Sequence, residues 1–246
     1  MLDFLTSSSV ALVVGASGGI GAAVAAALET HSAVGTVIVT GHRHAPHAGG
    51  RRLVAHVDVT DETSIAALAE VVRAAGELRL VVVASGLLSN VAGIAPEKSW
   101  RALDATTLAT LFAVNSIGPA LLAKHLLPLL PRHGRAIFAA LSARVGSIED
   151  NRRGGWYGYR ASKAALNMLL KTLALELTRR APAALCVGLH PGTVDTALSK
   201  PFQSAVPEQQ LFTPAQSALC LLKVLDGLQD DDSGGVFAWD GSRVPA

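Results

Sequence analysis

Tyr159 and Lys163 stand four residues apart in Gly154-Gly155-Trp156-Tyr157-Gly158-Tyr159-Arg160-Ala161-Ser162-Lys163, a stretch that runs into the apolar segment 164–177. The pattern predicts a helix, and on a helix residues four apart share a face, so both side chains point to one place. A tyrosine is a weak proton donor at neutral pH because its unperturbed pKa is about 10. A neighbouring ammonium favours the phenolate and brings that value toward working pH, where acid–base exchange is most effective. The pair therefore has the makings of a general acid or base. The same spacing also describes an aromatic beside a solvated lysine, and spacing alone does not choose.

A second candidate lies near the start of the chain. Gly15-Ala16-Ser17-Gly18-Gly19-Ile20-Gly21 follows the apolar run 10–14 and opens a helical pattern with Ile20, Val24, Ala27 and Leu28 on one face. Glycines at such a turn let backbone N–H groups approach a pyrophosphate at the helix N-terminus. Their plainer reading is an ordinary strand-to-helix turn. No Gly-Lys-Ser/Thr follows, which argues against a P-loop kinase or GTPase. After the next strand pattern, 36–40, the chain reads Thr40-Gly41-His42-Arg43-His44. An acid that would hold a ribose 2′-hydroxyl is missing there, and Arg43 is placed for a 2′-phosphate. NADP(H) is thereby favoured over NAD(H), although a solvated His- and Arg-rich loop reads almost as well. Asp58 closes the strand pattern 53–57 and either accepts from an adenine amino group or simply turns the chain.

Strand and helix patterns alternate along the whole chain. Further helices are expected around Ile65, Leu68, Ala69 and Val72, over 103–130, and over 214–227; further strands over 80–84, 135–141, 185–189 and 236–239. Such alternation predicts an α/β fold, a single-domain, Rossmann-like, doubly wound parallel sheet of about seven strands with helices on both faces. No linker divides the chain, so residues 1–246 read as one dinucleotide-binding domain.

The composition agrees with a packed enzyme-sized domain. Half of the 246 residues are hydrophobic and only 16% are charged, which argues for a sizeable core and against disorder. The net charge of +2 is spread over both signs and gives no footprint for nucleic acid. Cys186 and Cys220 lie in apolar runs without metal-ligand spacing, as small buried hydrophobes of a reducing compartment do, and no metal site is expected. An acid at Asp3 argues against a signal peptide. The apolar stretch 119–130 is interrupted by Lys124, His125 and Pro128 and is too short to cross a bilayer. A cytoplasmic protein without a membrane span is the expectation.

Together these motifs make the chain resemble the short-chain dehydrogenase/reductase family over nearly its whole length. The glycine loop matches the family's Gly-xxx-Gly-Ile-Gly, and Asp58-Val59 its adenine-contacting pair. Asn115, in Val114-Asn115-Ser116-Ile117-Gly118, matches its catalytic Asn, and Tyr159 and Lys163 its Tyr-xxx-Lys. Pro191-Gly192-Thr193-Val194-Asp195-Thr196 matches its Pro-Gly-x-Val-x-Thr. The segments 144–148 and 154–167 look more specifically like the branch of C-factor signalling proteins and sniffer-type carbonyl reductases.

The resemblance implies an NAD(P)(H)-dependent oxidoreductase that moves a hydride between a nicotinamide and a carbonyl or secondary alcohol. Tyr159 would exchange the proton with the substrate oxygen, and Lys163 would hold the nicotinamide ribose and depress the Tyr159 pKa. Asn115 would anchor a water leading from Lys163 to solvent, unless it is only a polar residue at a helix irregularity. Gly15, Ser17, Gly18, Gly19, Ile20, Gly21, Arg43, Asp58, Val59, Ser85, Gly86, Pro191, Gly192, Val194 and Thr196 would join Tyr159 and Lys163 around the cofactor. Leu87, Leu88, Arg144, Trp156 and Phe202 would line the substrate pocket, with Arg144 either meeting an anion or pairing with Glu149 or Asp150. A homodimer or homotetramer through the two long helices is also implied.

Two departures from the family pattern stand out. Val83-Ala84-Ser85-Gly86 replaces Asn-Asn-Ala-Gly after the fourth strand. Where the family reads Ser-Ser-x-x-Gly with the second serine active, this chain reads Ser142-Ala143-Arg144-Val145-Gly146. Alignment on Gly146 puts Ala143 in the active place, so Ser142 is the remaining serine candidate. The alternative is a dinucleotide-binding signalling or sensor protein of the C-factor type with little turnover.

Overall fold

Val10, Leu12 and Val14 face one side of the first strand and Ala11 and Val13 the other, and all five are fully buried. A strand apolar on both faces must be covered on both, which is the condition of a parallel sheet inside an α/β fold. The computed structural model, which describes residues 2–41, 50–89, 93–204 and 206–246, has this arrangement. Strands β1 (Ser9–Val14), β2 (Thr36–Gly41), β3 (Arg52–His56), β4 (Glu77–Val83), β5 (Ala136–Leu141), β6 (Ala184–His190) and β9 (Val236–Ala238) form one parallel sheet in the order β3-β2-β1-β4-β5-β6-β9. Helices α1 (Gly19–Thr30) and α6 (Pro214–Gly227) cover one face. Helices α2 (Glu62–Ala75), α4 (Gly118–Leu126) and α5 (Tyr157–Arg180) cover the other. Chain direction across the sheet reverses between β1 and β4, and the carboxyl ends of those strands frame the crevice where ligands of such sheets bind.

The expected helix over 103–130 is not continuous. Helix α3 (Ala105–Phe112) passes into a π turn, Ala113–Ile117, before α4 begins. The Gly118 N–H reaches back five residues to the Ala113 carbonyl. Pro119 gives the physical reason. It has no N–H to offer the Asn115 carbonyl four residues back, and its ring crowds that carbonyl, so the turn widens. By length and composition residues 105–129 are apolar enough to cross a membrane; here Leu111, Leu122, Ala123 and Leu126 are buried within the fold. A second, two-stranded sheet pairs β7 (Thr193–Val194) with β8 (Leu211–Phe212).

Candidate active site

The glycine loop leaves β1 at Gly15, whose φ of +86° and whose closeness to β4 both exclude a side chain. A Cβ there would stand 2.7 Å from the Ser85 nitrogen. Gly21 packs directly on the Gly15 carbonyl, and a Cβ on Gly19 would lie 2.8 Å from Thr196 Cγ2. The loop is thus pressed against β4 on one side and the post-β6 segment on the other. Close packing therefore needs these glycines whatever they bind.

Beside the loop is a cavity of about 490 Å³ lined by Gly15, Ser17, Gly18, Asp58, Val59, Ser85 and Gly86 among others. A dinucleotide fits what these residues leave unsatisfied. The hydroxyls of Thr40 and Ser85, both on the cavity wall, are buried without a hydrogen-bond partner among the described residues. Helix α1 starts at Gly18 with no side-chain cap, so its first N–H groups present donors and the positive end of the helix dipole to an anion. Asp58 accepts from the Thr60 N–H at 2.9 Å and the Thr60 hydroxyl at 2.7 Å, which makes it a turn residue as well as a cavity residue. Arg43 lies outside the described residues. Ile20 packs against the core. Pro191 and Gly192 turn the chain out of β6, with the Pro191 carbonyl accepting from Ser217 at 2.9 Å, and Val194 is buried in β7.

Gly86 joins this cavity to the catalytic candidates. A Cβ on it would be 3.6 Å from Asn115 Oδ1 and 3.8 Å from Lys163 Nζ. Asn115, in the π turn, pairs with Leu87 as a strand would: Oδ1 accepts from the Leu87 N–H and Nδ2 donates to the Leu87 carbonyl, both at 2.8 Å. Its Nδ2 also reaches Ser162 Oγ at 3.1 Å, and Ser162 donates to the Tyr159 carbonyl at 2.9 Å. Ser116 donates to the Ser162 carbonyl at 2.6 Å. The side chain of Asn115 therefore braces the end of β4 and the first turns of α5.

Tyr159 and Lys163 share the buried face of α5, with Lys163 Nζ 5.9 Å from the centre of the Tyr159 ring. Lys163 donates to the Leu141 carbonyl at 2.7 Å. Burial dominates both titrations. It pushes the Tyr159 phenol up to about 12 and the Lys163 ammonium down to about 8. Desolvation here outweighs the neighbouring cation, which is directed at a carbonyl, so the tyrosine pKa lies above rather than below its ordinary value.

Ser142 is placed differently from Tyr159 and Lys163. Along β5, Phe138 and Ala140 face the α4–α5 layer, and Ser142 continues that alternation. Its hydroxyl donates to Asn167 Oδ1 at 2.6 Å, one turn beyond Lys163. A Cβ on Gly146 would be 2.8 Å from Lys163 Cβ, so Gly146 packs directly on the helix that carries Tyr159 and Lys163. Of the pocket candidates, Trp156 stacks edge-on to Tyr159 at 6.3 Å between ring centres and tilted on Phe202 at 5.1 Å. Arg144 is paired through Nε with Asp150 at 2.7 Å. Leu88 is buried and Leu87 partly so. Ser162, Asn167 and Thr40 were not among the sequence candidates. The first two could have been found as inward positions of α5, one helical turn from Tyr159 and Lys163.

Comparison with known proteins agrees with this geometry. The family model described as short chain dehydrogenase matches residues 9–207. The C-signal protein of Myxococcus xanthus is 35% identical over 162 residues, covering 65% of this chain and 91% of that protein. The 1-hydroxy-2-glutathionyl-2-methyl-3-butene dehydrogenase of a Rhodococcus species is 33% identical over 195 residues, 79% of this chain and 80% of that one. Among solved structures, the NADPH-bound carbonyl reductase from chicken fatty liver superposes with a TM-score of 0.84 at 26% identity, covering 98% of this chain and 95% of that one. The carbonyl reductase Sniffer of D. melanogaster shares the fold, with a TM-score of 0.81 at 22% identity over 97% of this chain and 99% of that one. With a family match over most of its length and a Rossmann fold, this chain belongs to the short chain dehydrogenase family of oxidoreductases.

Proposed function

We propose that the protein is an NADP(H)-dependent reductase of a carbonyl compound, or oxidant of the corresponding secondary alcohol, with Tyr159 as the general acid or base. The observation that carries this reading is the position of Gly86, which lines the glycine-loop cavity and also lies against Lys163 Nζ and Asn115 Oδ1. Gly15, Ser17, Gly18, Ser85 and the N-terminus of α1 would hold the dinucleotide, with Thr196 against the loop. A bound nicotinamide supplies or takes the hydride at the substrate carbon. In reduction, Tyr159 gives its phenolic proton to the substrate oxygen as the carbonyl becomes an alcohol. Lys163, held by the Leu141 carbonyl, puts positive charge beside the phenolate so formed. Asn115 keeps the end of β4 and the start of α5 in register while this happens, and the π turn around it leaves its own carbonyl without a helical N–H partner from Pro119.

NADP(H) is preferred over NAD(H) because no acid stands at Thr40-Gly41-His42-Arg43 and because the carbonyl reductase from chicken fatty liver carries NADPH. Exposed Met168 and Leu175 on α5 and exposed Ile117 in the π turn support a homo-oligomer built on these helices. One observation favours a second reading, a dinucleotide-binding signalling protein: Ala143 lacks the hydroxyl that would polarise a substrate oxygen, and a relative is named C-signal.

The deciding experiment measures NADPH binding by fluorescence and NADPH oxidation with a panel of aldehydes, ketones and quinones. Expected are binding, turnover on at least one carbonyl, and loss of about 10³-fold or more in kcat for Tyr159→Phe with binding retained. Binding without turnover on any compound would sink the enzyme reading and leave the signalling one.

A further inference from the structure

Glu97 is the only buried acid among the described residues, 4% exposed, and the reaction outlined above does not use it. Its carboxylate accepts the Gly158 N–H at both oxygens, 3.3 and 3.2 Å, at the N-terminus of the helix that carries Tyr159. Its backbone carbonyl accepts the Trp156 N–H at 2.6 Å. Gly158 leaves room for it, since a Cβ there would be 2.9 Å from Glu97 Oε1.

These contacts hold an unusual turn. Gly154, Gly155 and Trp156 are all left-handed, with φ of +60°, +67° and +53°. Two glycines adopt that conformation freely, but at Trp156 the Cβ crowds the backbone carbonyl and the conformation is strained. The cost is met by capture from two sides. The Glu97 backbone carbonyl takes the Trp156 N–H and its carboxylate the Gly158 N–H, and Arg160 donates to the carbonyls of Gly155, Val145 and Gly154 at 3.0, 3.2 and 3.3 Å. The result is that the indole is turned onto the Tyr159 ring and onto Phe202.

We propose that Glu97 is a positioning residue: by fixing the left-handed turn ahead of α5 it sets the Trp156 wall, and with it where a carbonyl substrate meets Tyr159. The inference rests on Tyr159 being the acid. What matters is the reach of the Glu97 side chain to Gly158, more than its charge. A neutral group of equal length preserves the contact and a charged group one methylene shorter does not.

The full-length protein is tested as Glu97→Ala, Glu97→Asp and Glu97→Gln, with NADPH and whichever carbonyl of the panel turns over. Misplacing a reacting group by about 1 Å can cost on the order of 10²-fold, so kcat/KM for the carbonyl is expected to fall about tenfold to 10²-fold in the Ala and Asp variants. The NADPH dissociation constant should stay within about threefold, a split that general unfolding would not give. Glu97→Gln should restore kcat/KM to within about threefold of the parent. In a background carrying Trp100→Phe and Trp239→Phe, Trp156 emission should shift in the Ala and Asp variants but not in Gln. If Glu97→Ala does not fold, the Asp and Gln pair decides. Parent-like kcat/KM and emission in both Ala and Asp, or recovery by Asp and not by Gln, would overturn the proposal. The emission arm needs no turnover, so it tests the turn even if the parent proves inactive on every carbonyl.

Discussion

The two ends of the crevice are built on opposite plans. Around the glycine loop, structure comes from what is missing: no side chain at Gly15, Gly19 or Gly21, no side-chain cap on α1, and hydroxyls at Thr40 and Ser85 that are buried without partners among the described residues. Around Tyr159, polar groups already have protein partners, in chains that run from Leu87 through Asn115 and Ser162 and from Leu141 to Lys163. The first end has donors awaiting a ligand; the second is assembled in advance. Such a division suits a fold that must admit a large polyanion and yet hold one phenol in place, because rigidity at the chemistry can coexist with unsatisfied polarity only where binding will satisfy it.

The sharpest way to break the contrast is at Ala143, which brings no hydroxyl to the proposed reaction. Ala143→Ser should raise kcat/KM for the carbonyl by about 10²-fold, since a single donor to a developing oxyanion is worth about that much. Ser142→Ala, whose hydroxyl is given to Asn167, should change it by less than threefold; steady-state kinetics on both variants checks this. A larger loss in Ser142→Ala than gain in Ala143→Ser would return the serine role to Ser142.

At the open end, Gly15→Ala should destabilise the protein by about 2 kcal/mol, because its φ is positive and its Cβ would strike the Ser85 nitrogen. NADPH binding should weaken with it, as chemical denaturation and fluorescence titration would show. A comparable effect, about 2 kcal/mol between pH 7.5 and 9.5, is expected from pH. Lys163 binds its proton less tightly folded than unfolded, about 8 against an unperturbed 10.5. Between those values the unfolded chain carries more protons, so stability should rise with pH across that window. Lys163→Met should lose that rise, which thermal melts at pH 7.5 and 9.5 would reveal.

Much of the open end was legible in the sequence, because strand burial and helix phase are written in local periodicity and a glycine cluster has few structural meanings. The sheet, its helices and the place of the loop follow from runs such as 10–14 and 185–189. The assembled end was legible only in part. Tyr159, Lys163 and Asn115 were found by motif, but the bracing of Leu87 by Asn115 and the commitment of Ser142 to Asn167 depend on contacts between residues 25 or more apart. The π turn was hidden within an apolar run whose period looked helical, although Pro119 marked the place. Glu97 gave no signal, because its meaning comes wholly from Gly158 and Trp156, some sixty residues later.

The π turn has one more consequence. Five residues from Ala113 to Ile117 occupy a space that four would fill in a regular helix, so the segment carries one surplus residue of phase. Deleting a single residue there would let α3 and α4 merge in the phase they already have, whereas winding all five residues into a regular helix would rotate everything upstream by about 100° relative to α4. Asn115 would then leave Leu87 and Ser162 together. The irregularity works as a phase spacer: it lets one long helix serve two bearings, one set by the sheet under α4 and the other by α3 packing beside the start of α5.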